Sequence, residues 1–108
     1  GLQFESLCVR DLRVYAEAID GTLLHYRDKT GLEADAVIVL ADGRWAPIEA
    51  KLGSRQLDEA AAHLRRLRER VDANRMGEPS FLAVVTAGTT AYRRDDGVLV
   101  VPLACLRP

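Results

Sequence analysis

A chain of 108 residues has room for one hydrophobic core and no second unit. Its 48% hydrophobic and 29% charged residues match a soluble globular domain, which excludes collagen-like and disordered classes. No apolar run approaches the ~20 residues that span a bilayer, and a net charge of -1 sets the chain apart from strongly basic nucleic-acid-binding domains.

The first element is a helix. From Phe4 to Ile19 the residues Phe4, Leu7, Cys8, Leu12, Tyr15 and Ile19 recur at three- and four-residue steps, which predicts an amphipathic helix with one buried stripe. Asp20-Gly21 stops it. Residues 22–28 read as an extended run, and Lys29-Thr30-Gly31 as a turn. Ala34 to Leu40, rich in valine and isoleucine, is a strand. Asp42-Gly43 signals a tight primed hairpin turn, and Arg44 to Leu52 returns as the third strand of an antiparallel meander.

Ser54 is the expected N-cap of a second helix, with Asp58 and Glu59 in its first turns. Leu57, Ala60, Ala61, Leu64, Leu67 and Val71 keep helical period to about Ala73, opposite a face bearing Arg65, Arg66, Arg68 and Arg70. Met76-Gly77-Glu78-Pro79 ends it. Ser80 to Thr86 is apolar on both faces, as a buried strand covered by helices would be. Ala91 to Arg93 and Val98 to Val101 form a last hairpin around Asp95-Asp96-Gly97. A meander followed by a crossover helix and a buried strand gives an α/β (α+β) fold of order α-β-β-β-α-β, with a mixed central sheet and a helix on each face.

Chemistry concentrates where the meander ends. Glu49 and Lys51 are two apart on a strand and share a face, as do Glu33 and Asp35. Asp35 lies seven residues before Asp42 and Glu49 six after Gly43, so in-register pairing brings them together. Crowded carboxylates call for a cation, and Mg²⁺ (or Mn²⁺) suits hard oxygen ligands. Lys51 would then stabilise developing negative charge, and a cation-held water would attack a phosphodiester. Glu5, on the border of the first helix's buried stripe, is the expected third acid. Surface Glu-x-Lys pairs, by contrast, are commonly solvated charges of little consequence.

The runs Phe4-Glu5-Ser6-Leu7, Tyr26-Arg27-Asp28, Gly31-Leu32-Glu33-Ala34-Asp35 and Ile48-Glu49-Ala50-Lys51-Leu52, in this element order, resemble the PD-(D/E)XK nuclease-like superfamily. More narrowly they resemble a poorly characterised domain that sits behind an AAA-type ATPase module in prokaryotic ATP-binding proteins. The resemblance implies a restriction-endonuclease-like core with Asp35, Glu49, Lys51 and Glu5 as catalytic residues. Asp35, Glu49 and Glu5 would be the metal ligands. Ala34 stands where many active nucleases have proline.

Two functions follow: a metal-dependent nuclease-like domain acting on nucleic acid beside a parent ATPase, or a catalytically silent module that docks onto that ATPase or dimerises it. A chain that starts at Gly1 and enters a helix at once reads as a fragment of a longer protein, and the lack of a charged-then-apolar leader as a cytoplasmic one. Cys8 and Cys105 read as two buried thiols, and His25 and His63 as structural or solvated. Trp45 reads as a meander-packing residue. Thr86-Ala87-Gly88-Thr89-Thr90 lacks the lysine and spacing of a phosphate-binding loop.

Overall fold

The computed structural model describes residues 2–27, 31, 33–73 and 77–106, and the side chains of residues 2, 33, 35, 54, 72 and 73 lie outside that description. Helix α1 (Leu2–Ala18) leads into the meander β1 (Gly21–Arg27), β2 (Glu33–Leu40) and β3 (Trp45–Lys51). Helix α2 (Leu57–Ala73) crosses to β4 (Ala83–Thr86), and β5 (Tyr92–Arg93) and β6 (Leu99–Pro102) complete one sheet of order β1-β2-β3-β4-β6-β5. The meander is antiparallel, whereas β4 runs parallel to both β3 and β6. The predicted mixed sheet with a helix on each face is the observed one. No helix among the described residues is long and apolar enough to cross a membrane.

The sheet divides the core in two. Leu57, Ala60, Ala61, Leu64, Leu67 and Val71 of α2 pack with Trp45, Val84 and Val98 on one side. Cys8, Leu12 and Ala16 of α1 pack with Ala36, Ile38, Ile48 and Val85 on the other. Strands covered on both faces have no polar side to alternate, so β3 and β4 read as nearly continuous apolar runs.

The α1 stripe is rotated from its expected position. Ala16 is fully buried, while Tyr15 and Ile19 are 39% and 42% exposed. A Cβ on Gly21 would stand 3.2 Å from the Val39 carbonyl oxygen and 3.3 Å from that of Ala16. So close an approach of helix end to strand leaves little room for a side chain at residue 21, and the same end of α1 presents the small Ala16 to the core. The left-handed residue that ends α1 is Asp20, at φ 59°, not Gly21.

The β2–β3 and β5–β6 hairpins use one loop design. Gly43 N–H donates to the Leu40 carbonyl at 3.0 Å and Leu40 N–H to the Arg44 carbonyl at 2.8 Å; Gly97 with Arg94, and Arg94 with Val98, repeat this at 2.9 Å. Each is a three-residue loop whose last residue is a glycine at φ near +90°, which at Asp42-Gly43 replaces the expected primed turn. In each the middle aspartate accepts from the amide two residues on, Asp42 from Arg44 at 3.0 Å and Asp96 from Val98 at 3.1 Å.

Asp96 also ties its loop to α2. Arg65 reaches it at 3.3 Å, and Arg94, which touches Asp96, donates to Asp58 at 2.9 Å. Burial pushes the Asp96 carboxyl up, but the Val98 amide and the Arg94 and Arg65 guanidinium groups outweigh it and hold it below the ordinary 3.8. A lowered folded value means the contribution is full above the unfolded value and lost as pH falls through the folded one. Asp96→Ala is therefore expected to cost about 1 kcal/mol in urea melts at pH 7. Near pH 2 the variant and the parent should melt more nearly alike.

Two local expectations are corrected. A 3₁₀ turn, Ser54–Gln56, precedes α2, which starts at Leu57, so Ser54 is not its N-cap. Cys8 is buried as expected, but Cys105, in the 3₁₀ turn Leu103–Leu106, is exposed, and no disulfide joins the two. Met76 of the predicted helix stop lies outside the described residues, as do Asp28, the end of the extended run, and Lys29 and Thr30 of the expected turn.

Candidate active site

Alternation along β3 decides where its polar groups point. Ile48 and Ala50 belong to the core under α1, so Glu49 and Lys51 face α2. Glu49 is 4% exposed; among the described residues only it and Thr86 are buried polar residues. Lys51 ends the strand, half-buried, paired in register with Thr86 of the parallel neighbour β4. These are the carboxyl ends of parallel strands, where open α/β sheets place their ligand crevices.

The unforeseen member is His63. It projects from α2, and its Nδ1 makes a hydrogen bond with Oε1 of Glu49. An ionised carboxylate can only accept, so toward an ionised Glu49 the imidazole nitrogen is the donor. Glu59, His63 and Arg66 follow one another at helical steps of four and three, a polar stripe alongside the buried stripe of Ala60, Leu64 and Leu67. With Glu49 and Lys51 they line a cleft of about 550 Å³ floored by alanine. The signal was present in that stripe, but only the packing of α2 onto β3 turns it toward Glu49.

Asp35 is placed by backbone alone. Ala36 pairs with Ile48 and Val37 with Pro47, and Asp35 and Glu49 are the next residues along the two strands, just past the last pair. On its other side β2 carries a bulge: Leu24 pairs with Val37 and Tyr26 with Ala34, so Asp35 and Ala36 together face His25. Ala34 and Val37, three apart, accordingly reach the same half of the core. Simple alternation of Glu33 and Asp35 cannot be assumed across such a bulge, and both side chains lie outside the described residues.

Glu5 does not join Glu49 and Lys51. It is exposed on α1, in a separate cleft of about 370 Å³ shared with Ser6, Cys8, His25 and Ala50. Helix α1 covers the face opposite α2, so the sheet stands between Glu5 and the Glu49 carboxylate.

Among the described residues no three of His, Cys, Asp and Glu stand together as a metal-binding group. Mg²⁺ asks for less, one or two carboxylates completed by water and phosphate. Glu49 offers one hard oxygen donor of that kind in a polar cleft, whereas Glu5 stands on the other side of the sheet and does not join it.

Residues 1–106 match the family model described as "Domain of unknown function (DUF4143)", a domain commonly found after ATPase modules. No curated protein and no solved structure matches the chain.

Proposed function

We propose that this chain, which belongs to the DUF4143 domain family, is a nuclease-like domain of PD-(D/E)XK type that hydrolyses nucleic-acid phosphodiester bonds with Mg²⁺ at the Glu49–Lys51 cleft. One observation carries the reading: a buried carboxylate two residues before a lysine, both facing a polar cleft at the carboxyl end of a parallel strand. A solvated surface pair would not bury its acid.

In this reaction water adds to phosphorus, the bond to the leaving sugar oxygen breaks, and that oxygen ends protonated. Glu49 and Asp35 would hold the cation, whose chemistry is to polarise the phosphate and acidify a water. The Lys51 ammonium lies beside the developing negative charge and stabilises it, and Arg66 at the cleft margin attracts the phosphate backbone.

Labelled single-stranded, duplex and branched DNA incubated with Mg²⁺ or Mn²⁺ tests this. Cleavage by the parent chain should fall on the order of 10²-fold or more in both Lys51→Ala and Asp35→Ala. A parent chain that is inert with either cation, or variants that cut as well as it does, would sink the hydrolytic reading.

A second reading, a silent module docked on a parent ATPase, draws on a different surface. Val14, Tyr15 and Ile19 of α1 are exposed, and Tyr15 and Ile19 share a shallow apolar groove with Phe81, 39% exposed. An inert parent chain would put this reading first.

A further inference from the structure

We infer that His63 is a positioning residue for Glu49: its Nδ1–H fixes the carboxylate in the orientation from which Glu49 takes a hard divalent cation, an inference that rests on the hydrolytic reading. A carboxylate at 4% exposure must be satisfied where it is buried. The neighbours of Glu49 on β3, Ile48 and Ala50, belong to the other half of the core, so Glu49 faces α2. His63 brings a donor across from the helix to one defined oxygen, Oε1.

The identity of that donor has a consequence. A lysine or arginine in its place would carry a permanent positive charge into the cleft and compete with an incoming cation. An imidazole carries no such permanent charge, and a single N–H from it is enough to hold the carboxylate. Hydrogen bonds of this kind, one shell out from a metal, set ligand orientation, and losing one costs about 10–100-fold in metal affinity. Charged and titratable groups face His63 from both elements that meet there, Glu49 and Lys51 from β3 and Glu59 and Arg66 from α2. The orienting role rests on the place of the ring nitrogen rather than on its charge.

That geometry distinguishes two amides. The side-chain nitrogen that His63→Asn introduces falls where Nδ1 does, whereas that of His63→Gln reaches further, toward the Nε2 position. A purely structural polar contact would tolerate either.

Mn²⁺ binding to the whole chain, followed by calorimetry and by water-proton relaxation without nucleic acid, reads this directly. Glu49→Gln should abolish binding, and His63→Ala and His63→Gln should weaken it about 10–100-fold. His63→Asn should restore most of the affinity, with thermal melts confirming that each variant is folded. Should His63→Ala fail to fold, His63→Gln carries the comparison with His63→Asn. If the alanine or glutamine variant binds Mn²⁺ as the parent does while Glu49→Gln does not, the role of His63 is overturned and the hydrolytic reading stands. If the parent binds no Mn²⁺, or Glu49→Gln binds it equally well, both fall together.

Discussion

Leu64→Ala is expected to lower the stability of the chain by about 3 kcal/mol, within the usual range for a buried leucine. Leu64 is fully buried, on the α2 stripe that packs against Trp45 and Val84. The loss combines the transfer energy of the removed carbons with a cavity that the flanking strands cannot close. A domain of this length has about 5–15 kcal/mol of stability in all, so the melting temperature should fall by on the order of 10 °C. Urea melts should show an earlier midpoint at an unchanged slope. Val14→Ala supplies the contrast: Val14 is 54% exposed, and its loss should stay within about 0.5 kcal/mol. Equal effects at the two positions would mean that α2 does not pack on the sheet as described. Helix α2 also carries Glu59, His63 and Arg66, so loosening it should disturb the cleft as well.

The architecture was legible because its signals are local. Valine-rich β2, the Asp-Gly loops and the apolar periodicity of α2 each announce one element, and the crossover rule orders them into a mixed sheet. What escaped was set by contacts between elements. The rotation of α1 belongs to its packing on the sheet, where Ala16 joins the core, and no periodicity within the helix encodes that. The bulge in β2 arises from its pairing with β1, and nothing within residues 33–40 marks it.

The site divides along the same line. Glu49 and Lys51 share a face by strand geometry, and that much needs only their spacing. Period two says which residues face together but not which helix they face. The sheet turned Glu49 toward α2 and left Glu5 on the other side. His63 stands 14 residues from its partner, and although the stripe of Glu59, His63 and Arg66 marks a polar face on α2, it does not say which strand residue that face meets.

Replacing both members of the polar pair tests whether the fold or the chemistry requires it. His63→Leu alone takes the imidazole donor from a buried carboxylate and should cost about 3 kcal/mol, as removal of one partner from a buried polar pair does. Glu49→Met alone takes the acceptor from a ring that is 22% exposed at its side chain and can turn to water, so its cost should be smaller. The double variant Glu49→Met/His63→Leu fills the same space with apolar groups and should recover stability to near the parent or above it, since such replacements run from neutral to a gain of about 1–4 kcal/mol. It should nonetheless show no response to Mn²⁺. Recovery of stability with loss of cation binding would mean that the pair is kept at a cost to the fold, as polar groups at functional sites commonly are. A double variant less stable than either single one would instead assign Glu49 and His63 to holding α2 on β3, with no need of a cation to explain them.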